Sequence, residues 1–225
     1  MNSIQENINK IKQNIPNYVT IIAVSKFQPI EKIQSAYDAG HRDFGENYVQ
    51  EMVNKYQVLP KDIHWHFIGH LQTNKVKYIV PFVHLIHSVD SLKLLKEINK
   101  QAEKNQRVVS CLLQIHIAEE ETKFGLSSQE ALDILSSEEV KSFQFIKIKG
   151  LMGMATNTNN TEQIKKEFLS LKSLFDQFKN TFHLPNVQFE ILSMGMSNDY
   201  PIAIECGSNA IRIGTLIFGE RPAKN

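Results

Sequence analysis

The sequence is short of the features that mark several protein classes. Its 225 residues hold only two cysteines, Cys111 and Cys206, far apart and outside any C-x-x-C pair. A chain this long buries a full core without a staple, so two isolated thiols read as small apolar residues in a reducing, cytoplasmic compartment. There is no surplus of charge: 25 Lys+Arg stand against 24 Asp+Glu. That argues against wholesale nucleic-acid binding, which needs a basic excess. No apolar run approaches the roughly 20 residues of a membrane helix. The first 14 residues are polar and periodic, unlike a signal or transit peptide.

Several motifs are missing as well. Gly195-Met196-Ser197-Asn198-Asp199 has aspartate where a serine-hydrolase elbow needs its second glycine. Gly40 and Gly45 make no dinucleotide fingerprint. His64 and His66 share a strand face, but no third ligand follows at metal spacing. They are expected to be core or surface histidines, and no metal site is expected.

What the chain does have is alternation. Strand-like runs are predicted at residues 20–25, 41–44, 63–68, 82–87, 108–117, 145–151, 187–192 and 210–213. Helical patterns lie between them. Pro29 opens one that carries Ile30, Ile33 and Tyr37 on one face and closes at Gly40. Val49, Met52, Val53 and Tyr56 mark the next, a short helix follows Leu71, and Leu92, Leu95, Ile98 and Ala102 mark another. Ser127 with Glu130 reads as a capping box ahead of Leu132 and Leu135. Ile164, Phe168, Leu171, Phe175 and Phe178 line a long helix, and a last one spans about 198–206. Eight β/α units of about 28 residues fit a single (β/α)8 TIM-like barrel over residues 1–225, with an extra N-terminal helix capping its bottom. An open doubly wound sheet serves the same alternation and is the alternative.

In such a barrel the site forms at the C-terminal ends of the strands. Three unusual segments fall there: Ser25-Lys26-Phe27, Ser193-Met194-Gly195-Met196-Ser197 and Arg212-Ile213-Gly214-Thr215. Lys26 ends the first strand, on one face with Ile22 and Val24. Either it snorkels to solvent, or desolvation frees its amine to attack a carbonyl. Gly195-Met196-Ser197 and Gly214-Thr215 either cap helices or cradle a phosphate after strands seven and eight, and two such loops on adjacent strands favour the phosphate. Arg212 is one of four arginines and sits inside an apolar strand. It needs an acceptor, either an internal carboxylate or a ligand beside the phosphate.

With these residues in hand, the chain resembles the YggS/PROSC family of pyridoxal phosphate homeostasis proteins. The matching blocks are Ala23-Val24-Ser25-Lys26; Phe44-Gly45-Glu46-Asn47-Tyr48-Val49-Gln50-Glu51; Trp65-His66-Phe67-Ile68-Gly69 with Leu71-Gln72-Thr73-Asn74-Lys75; Lys123-Phe124-Gly125; Gly150-Leu151-Met152; Leu192-Ser193-Met194-Gly195-Met196-Ser197; and Arg212-Ile213-Gly214-Thr215 with Ile217-Phe218-Gly219. The resemblance implies a fold-type III barrel, similar to the N-terminal domain of alanine racemase, with pyridoxal 5′-phosphate as cofactor. It implies Lys26 as the Schiff-base lysine and Asn47 beside the cofactor ring. Ser197, Gly214 and Thr215 would hold the phosphate, Met196 would lend backbone, and Arg212 would face the pyridine nitrogen. His70 stands where many relatives have proline, and His116 where an asparagine is usual.

A cation at the pyridine nitrogen disfavours the pyridinium that most chemistry of this cofactor exploits. The chain stops at Asn225, and no C-terminal β domain of the racemase kind is expected. The expectation is a monomeric, cytoplasmic binding protein without catalysis, which stores, buffers or delivers pyridoxal phosphate, with apo-enzymes as its partners. Nucleic acid and membrane are not expected among them. The alternative is a stand-alone amino-acid racemase of low activity.

Overall fold

The eight strands close on themselves. In a computed structural model that describes residues 3–120 and 124–220, every neighbouring pair is parallel and the last strand returns to the first. The strands are β1 Thr20–Val24, β2 Asp43–Glu46, β3 His64–Phe67, β4 Leu85–Val89, β5 Val109–Ile115, β6 Ile146–Gly153, β7 Val187–Met196 and β8 Ala210–Ile213. Closure rests on Thr20↔Ala210, Ile21↔Ile211, Ile22↔Arg212 and Ala23↔Ile213. The open-sheet alternative is thereby excluded. Closure leaves no strand edge unpaired, and burial on both faces explains why β4 is buried at every position.

The helices are α1 Ile4–Gln13, α2 Ile30–Asp38, α3 Val49–Val58, α4 Val76–Ile79, α5 Leu92–Lys104, α6 Ser128–Ser136, α7 Glu138–Ser142, α8 Thr161–Thr181, α9 Tyr200–Glu205 and α10 Thr215–Phe218. A 3₁₀ turn, Thr73–Lys75, leads into α4. The expected box of Ser127 and Glu130 caps α6, and an equivalent one of Ser3 and Glu6 caps α1. The leading helix expected before the first strand is α1. It buries Ile8 and Ile11 and packs in the outer layer against α2 and α10, where Asn7 Nδ2 donates to the Ile217 carbonyl.

Most of the apolar core lies between sheet and helices. It includes Phe44, Trp65, Phe67, Phe168 and Phe178, all essentially inaccessible. At about 1.5–3 kcal/mol for each large side chain buried, this layer is the main source of stability. A second, much smaller cluster of Leu85, Leu112 and Met152, with Met154 and Ile191, fills part of the barrel interior. Beside Ile22 and Ile68, much of the remaining interior is polar.

Most strands shift by a residue or two at an end, and three depart furthest from their expected limits, each for a physical reason. The second, expected at 41–44, runs Asp43–Glu46, because a cation and a hydroxyl meet Glu46 and allow a carboxylate inside the protein. The fourth, expected at 82–87, starts at Leu85, and Phe82 instead stacks on Tyr56 in the helical layer. The seventh does not stop at residue 192. Pairing with β8 (Ser193↔Ala210, Met196↔Arg212) carries it to Met196 across an irregular register. Gly195 is what permits this: its φ is +97°, and a Cβ there would lie 2.6 Å from the Ala203 Cβ.

Candidate functional site

Beyond the C-terminal ends of the strands lies a cleft of about 460 Å³. All seven expected site residues line it: Lys26, Asn47, Met196, Ser197, Arg212, Gly214 and Thr215. They come from both ends of the chain and meet only because β8 returns to β1. His70 and His116 are not among its lining residues. His70 pairs with Asp90 at 3.3 Å and stacks on Phe124, while the His116 N–H donates to the Leu126 carbonyl. Lys123, in one of the matching blocks, lies outside the described residues.

Lys26 is not the last residue of β1, as expected, but the second residue beyond it. The turn that carries it is held from outside the barrel. Lys55 Nζ, on α3, donates to the Ser25 carbonyl, to Glu46 Oε1 and to Glu51 Oε1, each at 2.7 Å. Ser25 Oγ donates to Glu46 Oε1 at 2.6 Å, and Glu51 Oε1 accepts the Phe27 N–H at 2.6 Å. That last bond pins Phe27 at φ +63°, a left-handed conformation unusual for a side chain of this size. Backbone atoms on both sides of Lys26 are therefore tied to one buried ionic cluster. Burial pushes the Glu46 carboxyl up to about 7; the Lys55 ammonium opposes the shift and the Glu51 charge adds to it.

Arg212, on β8, is 4% exposed. Its Nη1 donates to Ser193 Oγ at 2.7 Å and its Nη2 to the Gly153 carbonyl at 3.1 Å. Of its five N–H groups, three stay unengaged among the described residues. Burial lowers its pKa to about 10, against the pull of the Asp199 carboxylate, so it stays a cation at neutral pH. Ser193 Oγ continues to His87, itself fully enclosed, whose pKa burial drives well below the ordinary 6.5.

Asn47 follows β2, and Gly69 makes room for it, since a Cβ there would come within 2.2 Å of the Asn47 carbonyl oxygen. Asn47 Oδ1 and Gln28 Oε1 are both buried at the cleft without a hydrogen-bond partner among the described residues. Ser197 lies in the turn between β7 and α9, and Gly214 with Thr215 opens α10. No bond among the described residues engages the N–H groups of Ser197, Gly214 or Thr215. The Met196 N–H does have an acceptor, Asp199 Oδ1 at 2.6 Å, so this donor is already committed.

Sequence reasoning missed part of the lining. Gln28, Asp199 and the loop after β6, which includes Thr156 and Asn157, also face the cleft. Glu167 on α8 fixes that loop, accepting from the Thr156 N–H and from its Oγ1, both at 2.7 Å. The run Thr156-Asn157-Thr158-Asn159-Asn160 at a strand's C-terminal end was the available signal.

Unengaged loop N–H groups and hydroxyls, a buried cation and a lysine on one rim form a donor set suited to a small anionic carbonyl compound, and the two unpartnered amide oxygens add acceptors beside it. A closed parallel barrel that carries this set belongs to a defined class. The family model for the N-terminal domain of alanine racemase matches residues 1–222. The fold is shared with the alanine racemase of Clostridium difficile (TM-score 0.77, 15% identity), over 99% of this chain and 58% of that one.

Within that class the chain belongs to the pyridoxal phosphate homeostasis protein family. It is similar to the family's protein in Haemophilus influenzae, 39% identical over 232 residues, covering 97% of this chain and 96% of that one. The counterpart in Aquifex aeolicus is 41% identical over 206 residues, 91% of this chain and 88% of that one. PipY of Synechococcus elongatus, whose structure has been solved with PLP bound, superposes with a TM-score of 0.86 at 32% identity, over 96% of this chain and all of that one. Among the described residues, no helix is long and apolar enough to cross a membrane.

Proposed function

We propose that this protein binds pyridoxal 5′-phosphate covalently on Lys26 and holds it for storage, buffering or delivery. The observation that carries the reading is the single cleft in which Lys26, Asn47, Ser197, Arg212, Gly214 and Thr215 converge. The bound cofactor supplies an aldehyde carbon for a lysine amine and a ring that draws electrons from attached groups. The protein's residues do the rest. Ser197 and Thr215, with the N–H groups around Gly214, bind phosphate oxygens, and Asn47 offers its amide beside the ring. Met196 contributes its side chain, 38% exposed, at the rim. Arg212 directs an unengaged N–H to the ring nitrogen and, being a cation, keeps a proton off it.

The reading as a holder more than a catalyst rests on Arg212 and on the lining itself. Among the described residues lining the cleft there is no tyrosine, histidine or cysteine to serve as a second acid or base. A monomer is the proposed working unit, and the cytoplasm is its proposed location. Apo-enzymes that need the cofactor are its proposed partners.

The test is to titrate the purified protein with pyridoxal phosphate, follow the visible absorption of the covalent adduct, reduce with borohydride and map the labelled peptide. The label should fall on Lys26 and be lost in Lys26→Ala. Arg212→Ala and Ser197→Ala should each weaken retention by about tenfold or more. Protein that never takes up the cofactor would overturn the reading. Sustained amino-acid racemisation that disappears in Lys26→Ala would replace it with an enzyme.

A further inference from the structure

The barrel interior contains a hydrogen-bonded column that the binding of a cofactor does not by itself require. Arg212 Nη1 donates to Ser193 Oγ at 2.7 Å, and Ser193 Oγ meets His87 Nδ1 at 2.9 Å. His87 Nε2 meets His66 Nδ1 at 2.9 Å, and His66 Nε2 meets Asp43 Oδ1 at 3.1 Å. The residues lie on β8, β7, β4, β3 and β2 in turn. Since β4 and β7 are not neighbours, the link from His87 to Ser193 crosses the lumen. Arg212, Ser193, His87 and His66 are buried, while Asp43 at the lower mouth is 26% exposed.

Counting donors fixes the direction of every hydrogen. Burial pushes the Asp43 carboxyl up, but the hydrogen bond and charge of His66, with His64 behind it, outweigh this and hold it at about 2. Asp43 is thus a carboxylate that only accepts, and His66 Nε2 must donate to it. While His66 is neutral its Nδ1 is bare and accepts from His87 Nε2–H. The neutral His87 then has a bare Nδ1, which takes the Ser193 hydroxyl hydrogen. Ser193 Oγ keeps its lone pairs for Arg212. One arrangement satisfies all four links, and in it every hydrogen points from Arg212 toward Asp43. A hydroxyl that donates is also a stronger acceptor, so the column tightens the bond to the guanidinium.

We propose that Ser193, His87, His66 and Asp43 are positioning residues for Arg212: a one-way hydrogen-bond column, anchored by the Asp43 carboxylate at the lower mouth, that holds the guanidinium at the floor of the cleft. A second proton on His66 Nδ1 reverses the column. His87 Nε2 becomes the acceptor, its Nδ1 carries the ring hydrogen instead, and Ser193 then accepts from both His87 and Arg212 with its own hydroxyl hydrogen turned out of the column. The cleft thereby senses protonation at the opposite end of the barrel. The groups around His66 there are Asp43 from β2, His64 from its own strand, His84 and His87 from β4 and the turn before it, and His41 ahead of β2. The Lys149–Glu190 pair stands on β6 and β7, and Lys149 acts on His84. Arg212 acts on His87 from above.

The inference deepens the proposed cofactor site but is tested first without cofactor, by ¹⁵N NMR of the histidine rings in the free protein. Above neutral pH, His66 and His87 should both be Nε2–H tautomers. On acidification their signals should change in one shared transition, with His87 passing to the Nδ1–H form while it stays neutral. Asp43→Ala, at the partly open mouth, should release the His87 tautomer and weaken pyridoxal phosphate retention by about two- to threefold from four hydrogen bonds away. Ser193→Ala should weaken it by about tenfold, as one buried donor left unpaired implies, and Ser193→Thr should restore it.

An Nδ1–H tautomer of His87 in the wild type above neutral pH would overturn the column, and so would His87 signals that ignore Asp43→Ala. If Ser193→Ala does not fold, the wild-type and Asp43→Ala spectra decide. Protein with the expected tautomers that takes up no cofactor would refute the cofactor site and leave the column standing.

Discussion

Two polar networks approach the cleft, one under α3 outside the barrel and one through its interior, and they are made of different materials. The outer one is ionic: the Lys55 ammonium sits between the carboxylates of Glu46 and Glu51. The inner one is a run of hydroxyl and imidazole groups between one cation, Arg212, and one carboxylate, Asp43. They also grip differently. The outer network holds Lys26 through its neighbours' backbone, by the Ser25 carbonyl and the Phe27 N–H. The inner one holds Arg212 by the guanidinium's own N–H groups. A lysine that must bond to a carbonyl carbon is best placed through its backbone, and an arginine that must stay still is best placed by its head group.

The comparison is easiest to break at Lys55. Its replacement by methionine leaves Glu46 buried with no cation and should cost about 3–5 kcal/mol of stability, read from urea unfolding. Covalent loading of Lys26 should slow in the same variant, because Ser25 and Phe27 lose their anchor. A fully stable Lys55→Met protein with unchanged loading would show that the outer network is not the clamp described.

The two carboxylates on β2, one half-buried and one fully buried, should give opposite pH dependence. Asp43 is held at about 2, below its ordinary 3.8, so its contribution is complete above 3.8 and is lost as pH falls through about 2. Glu46 is raised from 4.5 to about 7, so the folded state keeps a proton that the unfolded chain gives up. Its contribution declines as pH rises from 4.5 through about 7. Urea midpoints measured across pH should lose the acid-side fall in Asp43→Asn and the decline toward neutrality in Glu46→Gln. Profiles that match the wild type in both variants would contradict the assignment.

The smallest effect is expected from Glu51→Gln. The amide oxygen can still accept the Phe27 N–H, and the exposed half of the ion pair is worth about 1 kcal/mol or less. Without the Glu51 charge, the Glu46 carboxyl should titrate lower. The stability decline between pH 4.5 and 7 should then shrink while the acid-side fall stays in place. Equal changes in both limbs would mean that the two networks are one.

Much of this was legible in the residues. The alternation of apolar runs with helical faces, Pro29 at one helix start and Gly40 at its end, and the capping box at Ser127 are local signals, and the structure reproduces them. Lys26, Ser197, Arg212, Gly214 and Thr215 were legible because strand ends and glycine–serine turns carry their own chemistry, whereas Asn47 and the role of Met196 came only from the family resemblance. Asp199 and the loop through Thr156 were passed over because their role depends on which strands are neighbours. His66 read as a core or surface histidine because nothing in β3 alone says that His87 and Asp43 will meet it in the interior.

The sequence by itself determined the eight β/α units, the position of a lysine at one end and of an arginine with its turn residues at the other. Those follow from period, turn chemistry and composition, which act over a few residues. Only the tertiary structure decided that β8 closes on β1, that Lys26 sits beyond its strand on a clamped turn, and that Arg212 tops a column reaching Asp43. Each of these depends on contacts between residues as far apart as His87 and Ser193. Burial then decides the protonation of each member of the column, and the direction of its hydrogens with it.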